Sequence, residues 1–295
     1  MDHPIEFEKL SGCGNDFVCI DNRDGRFDPL LASPERVGHF AQALCRRRLG
    51  VGADGVIFAL PCPRTAQADI ACRFFEVDGS EAEFCGNGTA CFARWAIDGG
   101  AVDADSFRVH THAGVVWGQQ ADGDYIHECV PVPTQVQADV EFALDGQPQR
   151  CDFAITGVPH AVVYVDDVEA VDVLRLGPAI RHHQRFAPRG TNVNFVQVLA
   201  DGDIALRTFE FGVEDETLAC GSGSATAATL SARRFGWPSG DLVQVRVRSG
   251  NTIRAYPEFG PDGQPSKVCI ETVVRPVYRA TLAPTLAAQA LGEER

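Results

Sequence analysis

The octet Asp69-Ile70-Ala71-Cys72-Arg73-Phe74-Phe75-Glu76 returns as Asp203-Ile204-Ala205-Leu206-Arg207-Thr208-Phe209-Glu210, identical at six of eight positions. Each copy is followed by the same device, Cys85-Gly86-Asn87-Gly88 in the first case and Cys220-Gly221-Ser222-Gly223 in the second. Glu81 and Glu216 each stand four residues before their cysteine. A chain that repeats a strand, a turn and a Cys-Gly-x-Gly loop is built of two related halves, and that repeat sets the architecture before any single element does. Each half delivers one thiol. Two matched thiols facing one substrate from opposite sides suit removal of a proton from one face of a carbon and its return to the other.

Working outward, the first half opens with strand-like runs at Ile5–Leu10 and Asp16–Asp21 and a helical segment near 34–48. The glycine-rich turn Gly50-Val51-Gly52-Ala53-Asp54-Gly55 leads into Val56-Ile57-Phe58. After the Cys85 loop, the stretch from Thr89 to Ala96 reads as a helix stopped by Asp98-Gly99-Gly100. Strands near 107–118 and 124–131 alternate apolar and polar residues, as half-buried antiparallel strands do. Pro131-Val132-Pro133 marks the boundary, and the plan restarts with strands near 153–166, 193–199 and 203–211. The run Ala225–Ala232 is small and apolar enough for a helix buried all round. Strands near 242–248 and 252–256 follow, then one over 268–281 that returns to the first domain. The tail after Ala283 reads as a peripheral helix or as disorder. The expected fold is α+β, with two pseudo-symmetric domains, each a mostly antiparallel sheet around one central helix. The expected domains are 1–131 with 274–295, and 132–273, with the site in the cleft between them.

Composition narrows the function. With 295 residues, two domains are the natural expectation, and 45% hydrophobic content suffices for substantial cores. The net charge of −14, with no basic run beyond Arg46-Arg47-Arg48, argues against nucleic acid as a partner. The N-terminal Met1-Asp2-His3-Pro4-Ile5-Glu6 has neither a basic nor an apolar leader region, so the expectation is a cytoplasmic protein with no membrane partner. Eleven cysteines include no Cys-x-x-Cys, so no metal site is expected and most read as small buried hydrophobes. Lys9 and Lys267 are the only lysines, and neither lies in a phosphate-binding setting, which speaks against pyridoxal phosphate. No cofactor is expected.

Amide N–H groups at a helix start are unsatisfied and carry partial positive charge, and glycines let the backbone close on an anion. A cysteine placed there is expected to have its thiolate favoured, below the ordinary value of about 8.5. Two such loops would clamp an α-carboxylate, with the Cα–H between Cys85 and Cys220. One cysteine acts as thiolate base and the other as thiol acid, with the roles exchanged in the opposite direction.

Several separate blocks resemble the diaminopimelate epimerase family, over about residues 8–275. They are Gly12-Cys13-Gly14-Asn15-Asp16-Phe17, the 50–55 turn, Asp78-Gly79-Ser80-Glu81-Ala82-Glu83-Phe84-Cys85-Gly86-Asn87-Gly88, Pro159-His160-Ala161-Val162, Asn192-Val193-Asn194-Phe195, and Glu216-Thr217-Leu218-Ala219-Cys220-Gly221-Ser222-Gly223. The resemblance implies a cofactor-free homodimeric epimerase of lysine and peptidoglycan biosynthesis, acting on LL- and meso-diaminopimelate. It implies that Cys85 and Cys220 are the acid/base pair and that Gly86-Asn87 and Gly221-Ser222 hold the reacting carboxylate. His160 and Glu210 would tune the thiols and hold the reacting amine, and Asn15 and Asn192 would contact substrate. The Asp-Arg-Ser-Pro-Cys run of proline racemases, which share the thiol-pair logic, is absent.

Three positions depart from that family's pattern, all where it grips the far end of diaminopimelate. Asparagines are replaced by Glu76 and Val158, and the arginine that pairs the distal carboxylate is replaced by Phe211. A buried carboxylate without its cation costs on the order of 3–5 kcal/mol. Two readings therefore stay open. One is diaminopimelate, with another arginine such as Arg73 or Arg189 in place of the lost one. The other is a racemase of a basic amino acid: histidine, lysine, ornithine or arginine. A phenazine-type isomerase, a non-catalytic amino-acid binder and a thiol redox sensor are further alternatives.

Overall fold

Val56, Ile57, Phe58 and Ala59 are all buried, so this strand is covered on both faces and shows no alternation. The computed structural model describes residues 3–63, 65–82 and 85–293. The chain divides into two compact units, Met1–Glu128 with Val274–Arg295, and Cys129–Val273.

The first unit contains β1 (Glu6–Gly12), β2 (Asn15–Asp21), β3 (Gly55–Leu60), β4 (Ile70–Glu76), β5 (Glu81–Ala82), β6 (Phe107–Thr111), β7 (Gly114–Gln120) and β8 (Tyr125–Cys129). Residues 274–281 of the chain's final strand pair antiparallel with β1, and Val274 N–H donates to the Asp124 carbonyl at 2.8 Å. Most neighbours are antiparallel, but β2·β3 and β4·β6 are parallel. Its helices are α1 (Asp28–Leu31), α2 (Pro34–Cys45) and α3 (Gly86–Asp98). One face of the strands, with Val18, Ile20, Val56 and Phe58, packs on α1, α2 and the C-terminal helix Pro284–Leu291. The opposite face, with Phe17, Cys19, Ile57 and Phe74, packs on α3. Phe58 touches Phe27, Phe40 and Phe75 at ring-centroid distances of 5.7, 5.8 and 5.9 Å. Each such contact is worth about 0.5–1.5 kcal/mol beyond area burial.

The second unit repeats the plan with β9 (Thr134–Leu144), β10 (Gln147–Thr156), β11 (Val158–Tyr164), β12 (Asn192–Val198), β13 (Ile204–Glu210), β14 (Asp215–Thr217), β15 (Val243–Val247), β16 (Thr252–Phe259) and the start of β17 (Pro265–Thr281). Its parallel pairs, β11·β12 and β13·β15, fall at the duplicated places. The helices are α4 (Val173–Arg181) and α5 (Gly221–Phe235), and α6 is the C-terminal Pro284–Leu291 of the first unit. The α5 side chains from Gly223 to Ala232 are buried on every side, as the run of small residues predicts. Thr226 and Thr229 satisfy their hydroxyls by donating to Ser222 and Ala225 carbonyls, both at 2.7 Å. Gly236 ends the helix in the left-handed conformation, φ 68°.

The structure differs from the sequence reading in three places. An eleven-residue strand, β9, precedes the strands expected from 153 onward. Its alternation is broken by Gln135 and Asp139, both at positive φ, and by register shifts against β10. Helix α4 was hidden by the internal Pro178. Cys129 and Cys269 form a disulfide, so these two are not simple buried hydrophobes.

Candidate active site

Both cysteines are helix N-caps in extended conformation, Cys85 on α3 and Cys220 on α5. The fourth residue of each Cys-Gly-x-Gly has to be glycine, because the backbone passes close to the thiol. A Cβ on Gly88 would lie 3.2 Å from Cys85 Sγ, and one on Gly223 would lie 3.1 Å from Cys220 Sγ and 2.6 Å from Asn194 Oδ1.

The glutamates four residues before the cysteines have a definite task. Arg73 holds Glu81 through two bonds of 2.7 and 2.6 Å, and Arg207 holds Glu216 through two of 2.6 and 2.8 Å. Arg73 also donates to the Leu31 carbonyl, and Arg207 to those of Val168 and Val171. The repeated arginine of the octet therefore clamps the repeated glutamate of the loop, and the start of each cysteine loop is pinned to its strand. Bidentate guanidinium–carboxylate pairs fix orientation as well as distance.

In the first unit the structure brings together Cys85, Gly86, Asn87 and Asn15. Asn87 Nδ2 donates to Asn15 Oδ1 at 2.7 Å, and Asn15 Nδ2 donates to Asp54 Oδ2 at 3.2 Å. Asp54 is held in turn by Arg47 at 2.9 Å, and Asp16 joins Arg47 to Lys9, each at 2.8 Å. Asp54, from the glycine-rich turn, thus orients the Asn15 amide. This role of Asp54 was not legible in the glycine-rich turn as sequence. Glu76 is half-buried at the end of β4, and its carboxyl is raised by burial and then by Asp78 and Asp54. Among the described residues its carboxylate has no hydrogen-bond or ion-pair partner.

In the second unit Cys220 Sγ accepts from Gly223 N–H at 3.3 Å and lies 3.6 Å from the Ser222 hydroxyl. Burial, with Glu210 adding to it, still pushes the Cys220 thiol up to about 12. The sequence expectation of a favoured thiolate is corrected here, because desolvation outweighs the helix N-terminus. His160 is fully buried and held neutral, its pKa lowered to about 3 by desolvation. Asn194 Nδ2 lies 3.3 Å from His160 Nδ1 and also donates to the Ala161 carbonyl, while Thr208 donates to Asn194 Oδ1. That assigns the proton to Nε2, which has no partner among the described residues. Asn194 and Thr208 are supporting residues whose roles the sequence did not reveal. Asn192 links the Pro159 carbonyl to the Phe211 N–H, at 3.0 and 2.8 Å, and so ties β11 to the end of β13. Val158 begins β11 opposite Thr156.

Two duplicated units, each with a cysteine capping its buried helix, define an epimerase-type isomerase scaffold. The family model for diaminopimelate epimerase matches residues 7–125 and 153–260. A diaminopimelate epimerase of Aquifex aeolicus is 42% identical over 253 residues, covering 84% of this chain and 88% of that protein. One from Chlorobaculum tepidum is 36% identical over 274 residues, covering 92% and 99%. Among solved structures, a phenazine biosynthesis protein of the PhzF family from Bacillus anthracis superposes with a TM-score of 0.72 at 15% identity, covering 95% of this chain and 99% of the other. A hydroxyproline epimerase from Agrobacterium vitis gives 0.68 at 19% identity, covering 96% and 94%. These two show the fold alone. The chain belongs to the diaminopimelate epimerase family.

Proposed function

We propose that this chain is a cofactor-independent epimerase that interconverts LL- and meso-diaminopimelate by a two-base mechanism, with Cys85 and Cys220 addressing opposite faces of the α-carbon. The observation that carries the reading is the repeated Cys-Gly-x-Gly cap, braced by the same arginine–glutamate clamp in both units. Burial leaves Cys220 protonated at neutral pH, which suits it to the acid role in the direction where Cys85 serves as base. In that direction the C–H bond breaks toward Cys85 acting as the thiolate base, and its electron pair spreads into the α-carboxylate. That carboxylate rests on the amides of Gly86-Asn87 and Gly221-Ser222, where helix starts offset the growing charge. Cys220 then gives its proton to the other face. Glu210 takes the reacting ammonium, His160 tunes the thiols, and Asn15 and Asn192 contact substrate.

The relatives named above support diaminopimelate as substrate. Glu76 and Phe211 favour a second reading, racemisation of a basic amino acid, since a carboxylate and an aromatic ring suit a cationic side chain. A phenazine-type isomerisation has no use for two capped thiols. We further propose a cytoplasmic homodimer that binds neither nucleic acid nor membrane, the net charge of −14 weighing against nucleic acid.

The test is conversion of LL- to meso-diaminopimelate by the reduced protein, followed by chiral chromatography. Cys85→Ala and Cys220→Ala should each lower kcat by at least about 100-fold, as loss of a positioned acid or base does. Turnover like that of the wild type in either variant would sink the two-base mechanism.

A further inference from the structure

Two guanidiniums stack on Phe211, with Arg181 Cζ 4.1 Å and Arg189 Cζ 5.8 Å from its ring centroid. They differ in what balances them. Arg181 is buried and answered, with Glu214 at 2.9 Å, and its Nη1 donates to the Arg189 carbonyl at 2.8 Å. Arg189 is exposed, and among the described residues its guanidinium has no ion pair or hydrogen bond.

Arg189 nevertheless sits on a built loop. Gly190 has φ 76°, and a Cβ there would come within 2.0 Å of Arg181 Nη1, so the chain closes on the Arg181 side chain as only glycine allows. Gly190 N–H donates to the Phe186 carbonyl at 2.8 Å. The neighbourhood is that of the second thiol. Phe211 follows Glu210, Glu210 acts electrostatically on Cys220, and the Phe211 N–H is fixed by Asn192. Arg73 of the first unit is already committed to Glu81.

We propose that Arg189 is a specificity-determining residue whose guanidinium receives the second carboxylate of a diamino dicarboxylic acid. The inference rests on the diaminopimelate reading and deepens it. A guanidinium is always charged and presents a planar fork that matches a carboxylate in two bonds. The face of Phe211 favours a cation stacked on it. The charge absent from position 211 is thus supplied from the loop before β12.

The test measures exchange of the α-proton in D₂O for LL-diaminopimelate and for L-lysine, the same carbon chain with one carboxylate fewer. Wild type, Arg189→Ala and Arg189→Lys are compared, with Tm as a check on folding. Loss of a charge-assisted pair corresponds to about 10- to 150-fold. Arg189→Ala should raise KM for diaminopimelate by that factor, with kcat within about threefold and Tm unchanged. Arg189→Lys should fall between, because it keeps the charge and loses the fork. If wild type turns over diaminopimelate and Arg189→Ala leaves its KM within about twofold, the role of Arg189 is overturned while the substrate reading stands. A fall in kcat or Tm with unchanged KM makes Arg189 structural and also overturns it. If wild type exchanges lysine and not diaminopimelate, the substrate reading fails first and this inference with it.

Discussion

At the N-terminus of α5 a thiol is pulled two ways. The amide of Gly223 and the hydroxyl of Ser222 favour the thiolate, but a dry surround and nearby Glu210 oppose it, and the thiol rises to about 12. His160 shows the same dominance of burial with the opposite sign of charge, staying neutral down to about 3. The duplicated spacing marked Cys85 and Cys220, whereas His160 and Asn15 were marked only by the resemblance to the diaminopimelate epimerase family. Neither could give the direction of the Cys220 shift, which depends on how completely the loop is dried. Glu128 on β8 carries this logic furthest. It is buried, both carboxylate oxygens lack partners among the described residues, and its pKa rises to about 8. The unfolded chain loses this proton near the ordinary 4.5, while the folded chain keeps it until about 8. Between those values the unfolded state binds fewer protons, so stability falls as pH rises. Glu128→Gln should remove that slope and stabilise the protein at pH 8 by about 2–4 kcal/mol, as read by urea unfolding at pH 5 and pH 8. An unchanged slope would place the titration elsewhere.

Elements were legible where residues lie between two covered faces. The octet's apolar run marks β4 and β13, the stretch Thr89–Ala96 stopped by Asp98-Gly99-Gly100 marks α3, and the small residues after the Cys220 loop mark α5. Strand β9 was missed because bulges interrupt its period, and α4 because Pro178 reads as a breaker. The arginine–glutamate clamp was present in the sequence as a repeated pair of types, yet only strand pairing shows that β4 and β13 aim them at each other. The two clamps differ in exposure. The side chains of Arg207 and Glu216 are 11% and 14% exposed, and those of Arg73 and Glu81 are 28% and 29%. Breaking the drier pair leaves a poorly solvated guanidinium. Glu216→Gln should cost about 2–4 kcal/mol, and Glu81→Gln about 1 kcal/mol. Chemical denaturation of both variants checks the order, and equal costs would contradict it.

The whole molecule is two copies of one plan, with parallel pairs, central helix and cysteine cap at matching places. The repeated octet made that legible in the sequence, and the family match over 7–125 and 153–260 spans both copies. The Cys129–Cys269 disulfide was not legible, since the partners lie 140 residues apart and no spacing links them. Two copies of a thiol loop make sense for a reaction that treats two faces of one carbon alike. The isotope pattern in D₂O measures this directly, with LL-diaminopimelate sampled at low conversion. Two bases place solvent deuterium at the inverted centre of the product, while the recovered LL substrate keeps its α-proton. Deuterium appearing equally in both at the earliest times would mean a single base serves both faces, and would contradict the mechanism proposed for Cys85 and Cys220.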